Sequence, residues 1–170
     1  MIDSQTFIGF STSKKFSLIS WLIQKFTKSI VSHVFFVYWD NDWQDNFVIE
    51  ARENGFRLIS LSNFEKENNI IVSIIPESSI EIGLRAVAIE LLGSSYDYVG
   101  FFGEVVVLLG RWFKRKWNNP FRSSKTMFCS KVATLVLKKS NYKDAETLNQ
   151  YNMTPQDLLE FLTKRGKNGK

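Results

Sequence analysis

Four short apolar segments in the first half of the chain constrain its fold more than any other feature. They are rich in β-branched and aromatic residues, which favour strands. Asp40, Asn41 and Asp42 are typical turn residues and separate the first two segments, which are therefore predicted to form a β-hairpin. The predicted strands are Val34–Trp39, Phe47–Ala51, Phe56–Leu61 and Ile70–Ile75.

Helical periodicity flanks these strands on both sides. Phe16–Ile30 repeats leucine, isoleucine and phenylalanine at helical spacing and predicts an amphipathic helix. The last predicted helix begins with Thr154 as N-cap and Pro155 at the first helical position. Helix, strands and then helices indicate an α+β domain in which a small antiparallel sheet packs against helices. The later helices are predicted over 79–92, 99–113, 129–138 and 155–164.

The length of 170 residues suits one domain, which we expect to span residues 1–170 with a basic, flexible tail near 165–170. Hydrophobic residues make up 44% and charged residues 23% of the chain, and this ordinary globular composition excludes disorder along most of it. The N-terminus lacks the basic start and long apolar run of a secretory signal. We therefore expect a cytoplasmic protein, with export by another route left open.

The chain contains one cysteine and one histidine. A single cysteine cannot form an internal disulfide, and zinc sites built from cysteine and histidine clusters are excluded, so no metal and no cofactor is predicted. Cys129 lies where a polar stretch gives way to the apolar run of a predicted helix. The free N–H groups at a helix N-terminus favour a thiolate over a thiol, so Cys129 is a candidate nucleophile.

The predicted hairpin offers His33 a partner. A turn centred between Asn41 and Asp42 places Glu50 directly opposite His33, and opposed residues project from the same face. Phe35 and Val37 share that face and make the surroundings apolar. Glu50 would then orient the imidazole as the third member of a catalytic triad does, although a slip of one residue would separate the two side chains.

Structural roles remain open for each of these residues. A lone buried cysteine is most often an inert small hydrophobe, and a lone histidine at a strand end is more often a satisfied polar residue than a base. Glu50 taken by itself is more typical of a solubilising residue at a strand edge.

The net charge of +5 is concentrated in two basic clusters. Solvated surface is the usual meaning of such runs, and contact with an anionic membrane or cell-wall polymer is the alternative. No nucleic-acid motif is present, so no nucleic-acid partner is expected. Val99–Phe113 is shorter than a membrane span of about 20 residues, which favours a buried or interfacial helix. The clusters are Arg111, Lys114, Arg115 and Lys116, and Lys164, Arg165, Lys167 and Lys170.

Five short motifs occur together and in order along most of the chain. They are Ser32-His33-Val34, Val48-Ile49-Glu50-Ala51, Tyr96-Asp97-Tyr98, Phe128-Cys129-Ser130-Lys131 and Thr154-Pro155-Gln156-Asp157-Leu158. With these motifs the chain resembles the permuted papain-fold cysteine hydrolases, and within them the YiiX-like peptidase or amidase group, which is related to NlpC-type cell-wall peptidases and to lecithin retinol acyltransferases. The histidine precedes the cysteine along this chain, as in the permuted group.

The resemblance implies a permuted papain-like fold and a role for each site residue. Cys129 would be the nucleophile, His33 the general base and acid, and Glu50 the orienting residue, while Tyr96 matches a family tyrosine near the site and would contact substrate or the oxyanion. Lys131 departs from the family pattern, in which acidic or other polar residues are commoner at this position. We therefore expect this chain to prefer a substrate with an acidic group.

Amide hydrolysis of a peptide-like or cell-wall-derived substrate through an acyl-enzyme is the function expected first. The alternatives are lipid acyl hydrolysis or transfer at a membrane, and a binding module of the same fold without turnover.

Overall fold

The structure, a computed structural model, describes residues 6–52, 55–91 and 128–166. Within these ranges it contains a five-stranded sheet, five α-helices and one short 3₁₀ helix, so the predicted α+β class is confirmed. The strands are β1 Phe7–Ser13, β2 His33–Asp40, β3 Asp45–Arg52, β4 Gly55–Ser60 and β5 Asn68–Ile74. The helices are α1 Leu18–Thr27, α2 Leu61–Glu67, α3 Glu81–Leu91, α4 Cys129–Lys139 and α5 Pro155–Gly166, with the 3₁₀ helix at Ala145–Thr147.

The sheet is antiparallel throughout, in the order β4-β3-β2-β1-β5. All four predicted strands are present, but β1 and α2 were not predicted. β1 contains Gly9, Ser11 and Thr12 and lacks a clear polar–apolar alternation, yet it lies between β2 and β5 and pairs with both. β4, the third of the predicted strands, ends at Ser60 instead of Leu61. The reason is that the Ser60 hydroxyl accepts a hydrogen bond from the Asn63 N–H (3.4 Å) and caps α2.

The two faces of the sheet bury different side chains. One face packs against α3, α4 and α5 and forms the larger core, to which β2 contributes Val34 and Phe36. The other face carries Phe35 and Val37 and is covered by Phe64 of α2. Neighbouring residues of a strand point to opposite faces, so His33 belongs with Phe35 on the face beneath α2.

Gly9 leaves room for the ring of Phe35 on this second face. A Cβ at Gly9 would lie 2.2 Å from Phe35 Cζ, well inside van der Waals contact. We expect Gly9→Ala to destabilise the protein by about 1–3 kcal/mol, because the buried ring must leave its packed position. Urea unfolding would measure this loss.

The same substitution in a Phe35→Leu background provides the control, since the shorter side chain removes the clash. If Gly9→Ala lowers the stability by the same amount in that background, the Phe35 ring is not the obstacle.

Helix ends differ modestly from the predicted ones, for local reasons. The helix predicted over Phe16–Ile30 is shorter in the structure, where it forms α1. Its start is fixed by Ser17, whose side chain accepts the Ser20 N–H, and Lys28 ends it by adopting a left-handed conformation (φ 52°). The predicted N-cap of α5 is present: Thr154 Oγ1 accepts the Asp157 N–H at 3.1 Å.

Several predicted features lie outside the described residues. These are the helix over 99–113, Tyr96, the cluster Arg111, Lys114, Arg115 and Lys116, and residues 167–170 of the basic tail. In the rest of the tail, α5 continues to Gly166. Among the described helices, none is long and apolar enough to cross a membrane.

Candidate active site

Cys129 is the first residue of α4, as the sequence predicts. Its N-cap, Phe128, is extended and provides no side-chain hydrogen bond to the helix, and the first intrahelical bond runs from the Val132 N–H to the Phe128 carbonyl (3.0 Å). The N–H groups of Cys129 and Ser130 therefore have no acceptor within the helix. The Ser130 N–H instead hydrogen-bonds the Cys129 sulfur, together with the N–H of Val34. This uncapped helix end is suited to bind negative charge on the sulfur.

His33 opens β2 and lies between the thiol and Glu50. Its side chain is only 13% exposed, and its Nε2 is 2.6 Å from Glu50 Oε2. A side-chain hydrogen bond also joins His33 to Cys129. Because Nε2 faces the carboxylate, Nδ1 is the ring nitrogen that remains for the sulfur. The three predicted site residues are therefore in contact, in the order cysteine, histidine, glutamate.

The charges of this trio stabilise one another. Burial lowers the pKa of His33, but the Cys129 sulfur and the Glu50 carboxylate outweigh burial and raise it from 6.5 to about 9. Burial raises the pKa of Cys129, but His33 and the backbone N–H groups of Val34 and Ser130 outweigh it, so the pKa falls below its ordinary value. The arrangement therefore favours an imidazolium–thiolate pair near neutral pH.

The predicted contact between His33 and Glu50 is present, but the predicted register is wrong. The hairpin turns through residues 41–44, with Asp40 paired to Asp45 and Phe36 to Ile49, so the same ladder places Phe35 opposite Glu50. The error is two residues, and a shift of two keeps every side chain on its face. His33 therefore reaches Glu50 diagonally across the two strands.

Glu50 is a buried carboxylate held by two arginines. Arg57 lies directly opposite it on β4 and donates from Nε to Oε1 at 2.7 Å, while Arg52 donates from Nε to Oε2 at 3.2 Å. Burial raises the pKa of Glu50, but His33 and then the two arginines outweigh it and lower the pKa from 4.5 to about 2. Both oxygens are occupied, so the carboxylate is ionised and fixed against the imidazole.

The arginines extend the site to α2 and were not predicted. Arg57 Nη2 is 2.9 Å from Glu67 Oε2, and Arg52 contacts both Glu67 (3.5 Å) and the side-chain oxygen of Asn68. A signal for Arg57 exists in the sequence, because a turn just before Gly55 places Arg57 opposite Glu50. Arg52 follows Glu50 by two residues and so shares its face.

Lys131 does not project toward solvent beside the thiol. Its side chain is buried, and its Nζ lies 5.1 Å from the centre of the Tyr151 ring. The expectation that Lys131 selects an acidic substrate group therefore has no structural support, because the ammonium group packs inside the protein.

Comparisons with known proteins add no relative. A scan against protein-family models matches no family, and no curated protein matches this sequence. Within the described ranges, no group of three or more histidine, cysteine, aspartate or glutamate residues is arranged to hold a metal ion.

Proposed function

We propose that the protein is a cysteine-dependent hydrolase that cleaves an amide bond through an acyl-enzyme. The observation that carries the proposal is the hydrogen-bonded series Cys129–His33–Glu50, with the sulfur at a helix N-terminus. A nucleophile, a base within hydrogen-bond reach and a third group that orients the base are the parts that thiol catalysis needs. The permuted papain-like hydrolases that the sequence resembles use the same three groups, and in them too the histidine precedes the cysteine along the chain.

Each step uses a group already described. The Cys129 thiolate attacks the substrate carbonyl, and the Cys129 N–H at the start of α4 stabilises the oxyanion. The His33 imidazolium gives its proton to the leaving amine as the carbon–nitrogen bond breaks and a thioester forms. His33, now neutral, takes a proton from water, which attacks the thioester. The acid is released, and sulfur and imidazole return to their starting charges.

Glu50 keeps the imidazole oriented throughout the cycle. Its low pKa means that it remains a carboxylate while His33 changes charge. The substrate class in this proposal, peptide-like or derived from a cell wall, rests on the family resemblance alone.

A lipid acyl substrate is the second candidate, favoured by one observation. α1 carries exposed apolar side chains and is bonded to the segment that leads into the site, since the Ser20 hydroxyl hydrogen-bonds that of Ser32, the residue before His33. Cleavage of an ester would follow the same steps, with an alcohol as the leaving group.

Acylation by p-nitrophenyl acetate tests the proposed chemistry without knowledge of the natural substrate. We expect a burst of p-nitrophenol and one acetyl group on Cys129, detected by peptide mass spectrometry. Cys129→Ala should lose the burst, because the chain contains no other cysteine. Absence of both acetylation and p-nitrophenol release in the folded wild-type protein would contradict the proposed hydrolase and favour a binding module.

Turnover then separates the two substrate classes. Release of amines from N-acyl peptides or cell-wall muropeptides would support the amidase. Release of fatty acid from phospholipid vesicles, without amide cleavage, would support the second candidate.

A further inference from the structure

The segment from Lys14 to Ile30, which contains α1, exposes an unusual set of apolar side chains. Phe16 is 84% exposed, Leu18 59%, Trp21 44% and Ile30 66%. Among the α1 side chains that the structure describes, none is buried. Helices of about ten residues gain most of their stability from a packed apolar face. α1 has apolar residues for such a face but leaves two of them, Leu18 and Trp21, in contact with water.

Along the sequence, the charges around these apolar residues are all positive, and Lys14 at one end adjoins α2, where its Nζ donates to the Glu65 carbonyl. The chain has no aspartate or glutamate between residues 4 and 39, and this stretch contains four lysines. All four are exposed, and Lys25 Nζ lies 4.6 Å from the centre of the Trp21 ring. The lysines are Lys14, Lys15, Lys25 and Lys28.

Other exposed apolar residues have a different setting. Ile82 and Ile89 of α3 are 78% and 81% exposed. They stand beside Glu81 and Glu90, which are ion-paired with Arg85 and Lys139, so the charges at these glutamates are balanced and these pairs leave no positive charge to attract an anionic surface. Within the described ranges, they make a natural comparison for α1.

We infer that residues 14–30 form a docking surface for a lipid bilayer with anionic headgroups. Exposed phenylalanine, leucine and tryptophan in a stretch whose only charged residues are lysines are the composition of helices that lie in the membrane interface, where the rings enter the headgroup region and the ammonium groups meet phosphates. A soluble acidic partner would satisfy the lysines but would leave no reason for four large apolar side chains to face water. The inference is independent of turnover.

Docking through this surface would bring the candidate active site close to the bilayer. α1 is tied to the segment that leads into the site by the hydrogen bond between the hydroxyls of Ser20 and Ser32, the residue before His33. A protein held there would meet substrates at or near the membrane surface.

Vesicle flotation with the full chain tests the inference. We expect binding to vesicles of equal parts phosphatidylcholine and phosphatidylglycerol, weak binding to phosphatidylcholine alone, and release by high salt. The double variant Phe16→Glu/Leu18→Glu should bind the anionic vesicles about tenfold more weakly or less, because it removes two apolar groups and adds two negative charges. A glutamate at position 18 also favours the start of α1, so the fold is retained.

Ile82→Glu/Ile89→Glu is the matched control, with the same change of charge on α3. It should bind like the wild type, and an equal loss in this control would overturn the assignment to α1. Absence of binding to anionic vesicles would overturn the inference itself. Self-association that Phe16→Glu/Leu18→Glu abolishes, without vesicle binding, would assign the surface to a second copy of the chain.

Cys129→Ala should float with anionic vesicles as the wild type does. Retained docking by this variant separates the membrane inference from the proposed hydrolysis, so either one can fail alone.

Discussion

Replacing His33 with alanine is expected to slow alkylation of Cys129 by iodoacetamide about tenfold at pH 6.5. An ordinary cysteine with a pKa of about 8.5 is only about 1% ionised at this pH. In the wild type, His33 lowers the pKa of Cys129, so a larger fraction of the thiol is thiolate at this pH. Full ionisation would raise the thiolate fraction at most about a hundredfold, and the lower nucleophilicity of a low-pKa thiolate reduces the expected gain in rate to about tenfold.

The ion pair between Cys129 and His33 is expected only within a limited range of pH. The pKa of Cys129 is lowered and that of His33 is raised to about 9, so the ion pair exists between the two values. Its contribution to stability is lost as pH falls through the lowered cysteine pKa, and again as pH rises through about 9. Turnover of any substrate should follow a bell-shaped profile over the same window.

High pH supplies an internal control for this experiment. Above about pH 9 His33 is neutral and the thiol of the variant also ionises, so the advantage of the wild type should disappear, which shows that the variant has not merely changed access to the sulfur. A wild-type thiol that titrates like a free cysteine, with no effect of His33→Ala, would contradict the ion pair and with it the proposed hydrolase.

Glu50→Gln is expected to destabilise the protein by about 3 kcal/mol at pH 7, the value that corresponds to a pKa lowered from 4.5 to about 2. Glutamine cannot carry the negative charge that compensates Arg52, Arg57 and protonated His33 in a site where the carboxylate is fully buried. Urea unfolding would measure the loss. The variant should also lower the pKa of His33, because the imidazolium loses its anionic partner.

Acid provides the diagnostic for this prediction. A lowered carboxyl pKa contributes stability above the unfolded value and loses it as pH falls through the folded value, so wild type and variant should converge between pH 4.5 and about 2.

Glu67→Gln is the matched control for Glu50→Gln. Glu67 contacts the same two arginines, but its side chain is half exposed and does not contact His33. Its replacement should cost less than about 1 kcal/mol. Equal losses in the two variants would show that the buried carboxylate has no special role.

The sequence by itself was sufficient for the parts of the site that depend on local patterns. Cys129 begins a helix because polar residues give way there to an apolar helical run. His33 begins a strand because the β-branched and aromatic run Val34–Trp39 follows it. Glu50 was placed on the face of His33 even with the wrong turn, because strand side chains repeat with a period of two.

The sequence could not predict the features that depend on contacts between distant parts of the chain. The turn length set the register of β2 and β3, and pairing on both sides made a strand of β1, whose residues lack alternation. The same is true of Glu50: its two arginines are brought to it by the register of β3 and β4 and by the strand face.

Sequence alone therefore determined the α+β class and the residue types available for thiol chemistry, since these follow from local periodicity and composition. Only the tertiary structure decided that Cys129 meets His33, that two arginines hold Glu50, and that α1 leaves apolar side chains exposed. Those features depend on packing between segments far apart in the chain, and no local pattern encodes the free energy of such contacts.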